Sequence, residues 1–236
     1  MTRNAGSHGP TTAASIRRVG LKLIYEHGFN AMSLRQLAAE VGLQPASLYN
    51  HIRTKQGLLF GLVHDHMLAL LEQSAQALAA APQGDPVGRL RAFIAHHLLY
   101  HMEKKREVYI ANFELRSLEP ANYRIIVALR RTYEERLIAL LEEGVAAGVL
   151  DVHDVPVTAY AILAMLTGAC TWYKPEGRLS KPEIVALHTD LVLKGCLRTA
   201  EAPQGRGPDL SKLTGQPPLR RGNRPTPPAA GHEAPA

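Results

Sequence analysis

"SLRQLAAEVGLQPASLYNHIRTKQGLL", residues 33 to 59, decides how this chain is read. Ser33 stands as an N-cap before Leu34, Leu37, Ala38 and Val41, a one-sided apolar stripe about two turns long that Gly42 closes. Gln44 and Pro45 open a second short helix running to about Ile52; proline suits the first helical position, where a missing N–H loses no partner. On a helical wheel Leu48 and Ile52 share the inner face with Pro45, while Ala46, Ser47, Asn50 and Arg53 cover the outer one, flanked by Tyr49 and His51. Two short helices joined by a tight turn and packed on a third make a helix-turn-helix, whose second helix can enter a major groove. The small Ala46 and Ser47 allow close approach, the Gln44 and Asn50 amides suit adenine, and Tyr49, His51 and Lys55 are placed to meet phosphates.

The charge distribution agrees. Residues 1 to 60 hold seven Lys/Arg against two Asp/Glu, a net of +5, whereas residues 61 to 198 are near neutral at −1 and residues 199 to 236 carry +2. A basic amino-terminal module on a neutral body points to a polyanion, and to nucleic acid before membrane, since no basic amphipathic helix with a broad apolar face accompanies it.

Helical periodicity runs through the rest. Ile16, Val19, Leu23 and Ile24 mark a first helix that Gly28 stops, and further patterns cover 55 to 80, 86 to 104, 106 to 117, 121 to 147, 155 to 172 and 182 to 198. No stretch reads as a strand, so the fold class is all-α. The tail has Pro203, Pro208, Pro217, Pro218, Pro225, Pro227, Pro228 and Pro235 among Gly and Arg, too little apolar area to offset its ordering entropy. The expected organisation is a flexible arm at 1–11, a helix-turn-helix domain at 12–54, a helical ligand-binding and dimerisation domain at 55–198 and a disordered tail at 199–236. Two cysteines, Cys170 and Cys196, and no leading apolar segment suggest a reduced, cytoplasmic, soluble protein.

The opening stretch closely resembles the DNA-binding domain of the TetR family of bacterial regulators. That family's motif has Ser or Thr, a Leu/Ile-Ala pair, Gly, then Leu-Tyr-x-His-aromatic and a Lys three residues on; here the positions are Ser33, Leu37, Ala38, Gly42, Leu48, Tyr49, His51, Ile52 and Lys55. Ile52 departs from the usual Phe on the inward face. The resemblance implies phosphate contacts from Ser33, Tyr49, His51 and Lys55, and base reading by Gln44, Ala46, Ser47 and Asn50. It also implies double-stranded operator DNA as partner and a homodimer made through the last two helices. "VPVTAYAILAMLTGACTW" is apolar nearly all round, as a helix buried on every side should be, and Ala161, Ala164 and Gly168 permit close helix approach.

Two further segments, "REVYIANFELRSLEP" at 106 to 120 and "WYKPEGRLS" at 172 to 180, resemble the branch of that family that senses acyl-coenzyme A thioesters. The resemblance implies an acyl-CoA effector and control of lipid, fatty-acid or sterol catabolism genes. An acyl chain would lie among apolar residues of the middle helices, with Trp172, Lys174 and Arg178 at the mouth to meet adenine and phosphates. The alternatives are a constitutive DNA-binding or architectural protein and a repressor that senses another hydrophobic molecule. His97 and His101 stand at i and i+4, but no third ligand at a motif spacing makes them a metal site, and no cofactor is expected. Nucleophile elbow, glycine-rich phosphate loop and paired catalytic carboxylates are all missing from the sequence, so no enzymatic activity is expected.

Because the tail offers no packing face, deletion of residues 203 to 236 should leave melting temperature and sedimentation coefficient per unit mass unchanged. Loss of the cooperative melt on truncation would contradict the reading.

Overall fold

The computed structural model describes residues 9–197; the first eight residues and everything from 198 onward, the tail included, lie outside the described residues. Among the described residues there are nine α-helices: α1 (Gly9–His27), α2 (Leu34–Val41), α3 (Pro45–Leu48), α4 (Lys55–Ala80), α5 (Pro86–Glu103), α6 (Lys105–Phe113), α7 (Pro120–Ala146), α8 (Val155–Trp172) and α9 (Lys181–Cys196). One 3-10 turn, Leu115–Ser117, lies between α6 and α7, and an isolated bridge pairs Leu150 with Leu197.

Local chemistry sets the helix ends. Side chains accept the orphan N–H groups of the first turn at Ser33, Thr54, Asp85 and Asp154, and Ser180 with Glu183 forms a reciprocal capping box. Gly28 and Gly42 close α1 and α2 with φ of 81° and 77°, a conformation that costs glycine least. Three boundaries differ from the sequence reading. α1 starts at Gly9, so residues 9–11, assigned to the arm, open a helix. α3 ends at Leu48, and Tyr49–His51 continue as a turn whose bonds tighten to His51 N–H→Leu48 O at 2.9 Å. The pattern over 106 to 117 splits into α6 and the 3-10 turn.

α1, α2 and α3 close around Ile16, Leu23, Ile24, Phe29, Met32, Leu37, Ala38 and Leu48, all buried. Leu58 and Leu59 at the start of α4 belong to the same core, so the reader leans on the body. α4 is 26 residues long, about 39 Å at 1.5 Å per residue, and carries that contact into the middle of the molecule. α5 lies at the centre, against α4, α7, α8 and α9, with Leu90, Phe93, Ile94 and Leu98 wholly enclosed.

A second joint runs through α6. Glu114 Oε1 accepts the N–H of Phe29 at 3.0 Å, and its other oxygen accepts the Ser117 hydroxyl at 2.7 Å. Gln56, in the first turn of α4, donates to Ser117 O at 2.8 Å and accepts the Glu119 N–H at 3.3 Å. Tyr25 of α1 meets Tyr109 of α6 edge-on, ring centroids 5.0 Å apart.

α8 is not buried on every side. Ala159, Ile162, Leu166, Ala169 and Cys170 face the core, whereas Val157, Tyr160, Ala161, Ala164 and Trp172 are exposed along the opposite stripe. α9 repeats the pattern: Ile184, Val192 and Leu193 pack inward and Leu187 and Leu191 stand more than half exposed. Among the described helices α8 alone is long and apolar enough to cross a membrane.

Candidate nucleic-acid interface and inner chamber

The surface around α3 is polar by construction. Leu48 alone of its four residues is fully buried; Gln44, Ala46, Tyr49, Asn50, His51 and Arg53 are exposed and Ser47 is half-buried. Pro45, read as inward-facing, is exposed too, because a single buried leucine suffices to seat so short a helix. The exposed side chains lie on α3 and the turn that follows, which is what groove readout requires of a recognition helix. Ser33 caps α2 by accepting the Gln36 N–H at 3.1 Å, and its own O–H remains a donor.

Lys55 has an extra task that the sequence did not signal. Its ammonium donates to Asn30 O at 3.1 Å and sits 4.5 Å from the centre of the Phe29 ring, so it ties the turn after α1 to the start of α4. Partial burial lowers its pKa. An ammonium has three N–H donors, and one held by Asn30 leaves two for a phosphate.

Deep in the body, α4, α5, α6, α7 and α8 enclose a chamber of about 90 Å³. The chamber is not apolar throughout. His66, His97, His101, Arg130, Tyr133 and Thr167 line it together with a few apolar side chains such as Met67, Leu70 and Leu163. His97 is the hub: Nδ1 lies 3.0 Å from the Tyr133 hydroxyl and Nε2 3.2 Å from Thr167 Oγ1. His101 stacks on it at 3.7 Å with rings nearly parallel, and its Nδ1 lies 2.7 Å from the His97 carbonyl. A carbonyl only accepts, so His101 carries its proton on Nδ1 and Nε2 offers a lone pair.

Burial keeps these rings neutral. It depresses His97 well below the usual imidazole range, His101 to about 3 with help from nearby His66, and His66 to about 4 with help from Arg130 and Lys104. Burial also raises Tyr133 and lowers Arg130. The Arg130 guanidinium donates to Asn112 Oδ1, while Asn112 Nδ2 is spent on Val108 O at 2.9 Å. Among the described ion pairs none involves Arg130. Asn112, Arg130, Glu134, Leu163 and Thr167 also border an outer cleft of about 380 Å³ that opens along α8 past Tyr160, Ala164 and Gly168.

Trp172, Lys174 and Arg178 do come together, around a separate pocket of about 220 Å³ at the α8–α9 turn. The indole is half exposed and stacks on His188, ring centroids 5.9 Å apart. This pocket shares no lining residue with the chamber or the outer cleft, so the three do not form the chamber's mouth.

Comparison with known proteins identifies the family. Residues 16–62 match the model of the bacterial regulatory proteins of the tetR family, and residues 83–196 match the tetracyclin repressor-like C-terminal domain. The TetR family transcriptional regulator PfmR from Thermus thermophilus is 32% identical, with a TM-score of 0.69 over 79% of this chain and 99% of its own. The chain belongs to the TetR family of bacterial transcriptional regulators. It is also similar to AibR, solved in complex with isovaleryl coenzyme A and operator DNA, at 27% identity and a TM-score of 0.70 over 76% of this chain and 97% of that one. The HTH-type transcriptional repressor KstR2 of Mycolicibacterium smegmatis is 24% identical over 192 residues, 79% of this chain and 93% of its own.

The match over residues 16–62 places the family's DNA-binding part on the first helices, where α3 lies. The residues named for DNA contact were all legible in the sequence as a polar surface around α3, and the structure places most of them exposed there. The chamber's were not: His97 and His101 drew notice only as a metal pair, and His66, Asn112, Arg130, Tyr133 and Thr167 drew none. One signal was present. Leu90, Phe93, Ile94, His97, Leu98 and His101 form a single stripe, so two histidines sit at positions that periodicity assigns to the core. Among the described residues no three His, Cys, Asp or Glu are grouped to hold a metal ion.

Two outcomes follow from this geometry. Tyr49→Phe deletes an exposed hydroxyl without touching the core, so melting should be unchanged while operator affinity falls by about threefold to tenfold, read by fluorescence anisotropy at fixed salt; equal affinity removes Tyr49 from the interface. The second concerns pH. His66 and His101 are neutral when folded and titrate near 6.5 when unfolded, so the unfolded chain binds more protons below that value. Their contribution is intact above pH 6.5 and drains away as pH falls towards about 4 for His66 and about 3 for His101. At pH 5 the loss is about 2 kcal/mol for each, and the melting temperature should lie roughly 10 °C below its value at pH 7.5. His66→Asn should shrink that difference, and a flat profile between the two pH values contradicts the neutral cluster.

Proposed function

We propose that this TetR-family protein is a homodimeric repressor, with residues 12–54 as reader and 55–198 as effector and dimer body, that leaves its operator when a coenzyme A thioester enters the body. One observation carries the reading: α6 reaches the chamber and the DNA reader at once. Asn112 lines the chamber and, two residues on, Glu114 grips the N–H of Phe29 in the turn between α1 and α2. Gln56 clasps the following 3-10 turn to the start of α4. An effector that displaces α6 therefore biases the angle of the reader, and two readers at a new spacing no longer fit successive major grooves.

The ligand class rests on three supports: the segments at 106–120 and 172–180, the relative AibR, whose structure was solved with isovaleryl coenzyme A, and the pocket at the α8–α9 turn. The exposed indole of Trp172 offers adenine a stacking face, with Lys174 and Arg178 beside it for phosphates. The genes controlled would serve lipid, fatty-acid or sterol breakdown in the cytoplasm, with no membrane involved.

The dimer face is the exposed stripe of α8 and α9. Val157, Tyr160, Leu187 and Leu191 are each at least half exposed in the single chain. A Cβ added to Gly168 or Gly195 meets nothing within 4 Å, although glycine inside a helix costs about 1 kcal/mol relative to alanine. A partner helix approaching closely there gives both glycines a reason.

The test joins three measurements on the full chain. Sedimentation should give a dimer at micromolar concentration that Gly168→Trp dissociates. Trp172 is the sole tryptophan, so its emission should respond directly to isovaleryl-CoA. Glu114→Ala should leave that response intact while raising the thioester concentration needed for operator release at least tenfold. A monomeric wild type, or operator release equally easy with and without Glu114, would overturn the mechanism.

A further inference from the structure

The inner chamber poses a chemical question that the ligand class leaves open, namely what enters it. It is smaller than the roughly 150 Å³ apolar cavity that admits a benzene ring, so it holds a group of only a few non-hydrogen atoms. Its walls mix polar and apolar groups, and the hydrogen bonds of the polar ones are not all closed. His97 is satisfied on both ring nitrogens by Tyr133 and Thr167, and Asn112 on its amide by Val108 and Arg130. Four groups fronting the chamber keep capacity among the described bonds: the acceptors His66 Nε2, Glu134 and His101, and the donor Arg130. His101 has Nδ1 committed to the His97 carbonyl, which leaves Nε2 as a bare acceptor. Arg130 has one terminal nitrogen on Asn112 and further N–H donors with no described partner; the Glu134 carboxylate, which also fronts the chamber, acts on it by charge without a described ion pair.

A lone-pair acceptor and a strong donor facing one small space select a group that donates and accepts at the same atom. A methyl does neither, a carbonyl only accepts and an ammonium only donates; a hydroxyl does both. Leaving a buried acceptor and a guanidinium facing a methyl group costs more than a missing contact, because neither keeps its water.

We infer that the chamber is a subsite for a hydroxyl-bearing acyl tip, the hydroxyl donating to His101 Nε2 and accepting from Arg130, while the rest of the acyl arm occupies the outer cleft. This inference rests on the acyl-CoA reading for the delivery of the tip, but the recognition it describes belongs to the chamber. It replaces the expectation of an apolar chain among the middle helices. Long unbranched chains have no room at the inner end, and Arg130, Asn112 and Thr167 stand where the outer cleft meets the chamber.

The experiment compares probes that differ at one atom. Titrated into the full-length dimer and followed by Trp172 emission and by calorimetry, 3-hydroxybutyryl-CoA should bind at least tenfold tighter than butyryl-CoA, with acetoacetyl-CoA between them. Arg130→Met and His101→Phe should each erase the preference, and Arg130→Met, at a half-buried position, keeps the test valid if His101→Phe fails to fold. In parallel, 3-hydroxybutyrate and butyrate at millimolar concentration are compared by thermal shift, which needs no coenzyme A. If the thioesters bind without preference for the hydroxyl, the inference falls and the acyl-CoA reading stands. If no thioester binds but 3-hydroxybutyrate alone raises the melting temperature and Arg130→Met abolishes the effect, the subsite stands and the acyl-CoA reading falls. Octanoyl-CoA binding tighter than all three short thioesters, or both free acids acting alike with no thioester bound, overturns it.

Discussion

The carboxylate of Glu114 is the narrowest point of this structure. One oxygen takes the N–H of Phe29, the other the hydroxyl of Ser117, and so a single side chain fixes the end of α6 to the turn that launches α2. A hydrogen bond to a charged acceptor is among the stronger ones, and this one spans 85 positions in sequence. The reader depends on it for a reason visible in its own composition. α2 and α3 bury only Leu37, Ala38 and Leu48 between them, too little to orient a recognition surface alone. Orientation is borrowed from α4 through Leu58 and Leu59 and from α6 through Glu114. Lys55 adds a third tie, from α4 to Asn30 and the Phe29 ring. The Glu114 and Lys55 ties converge on one short turn, so a small movement of the body has a defined place to act.

What was legible in the sequence was whatever depends on neighbours in the chain. Ser33, Gly28 and Gly42 mark helix ends because capping is local, and all three hold the positions their residue types imply. The overrun of α3 to Ile52 came from Leu48 and Ile52, four apart and both apolar, which reads as a helical face. The structure achieves the same seating with a turn, since Ile52 N–H still reaches Leu48 O at 3.1 Å after the helix proper has ended. Residues 106 to 117 were read as one helix for a similar reason: apolar spacing persists through Leu115, while the chain is pinned at Glu114 by a contact with α1 that no local pattern encodes.

The chamber was illegible because it exists only where five helices meet. His66 comes from α4, His101 from α5, Asn112 from α6, Arg130 from α7 and Thr167 from α8. A wheel drawn for α5 shows that His97 and His101 point inward; it cannot show whether they meet leucines, a metal or a void. α8 shows the opposite failure. Apolar residues all round suggested burial on every side, but periodicity measures preference for exclusion from water and is silent on who excludes it. One stripe of that surface meets this chain's core and the opposite stripe, Val157 and Tyr160 among it, stands exposed among the described residues.

The energetics divide the labour between these parts. Moving a two-state equilibrium from 1:99 to 99:1 requires a ligand to prefer one state by about 5.5 kcal/mol. A hydroxyl satisfied at His101 and Arg130 contributes about 1 to 3 kcal/mol, so the chamber alone cannot move the reader that far. It can decide which ligand does. The balance has to come from outside it, where each CH₂ buried against Leu163, Ala164 and Cys170 in the outer cleft adds about 0.8 kcal/mol. In that arrangement the outer contacts are shared by any thioester of suitable length and the inner ones by few. Under the proposed function, chemistry would be read at the polar end and force supplied at the apolar one. Asn112 borders both chamber and cleft, two residues from Glu114, which holds the turn after α1.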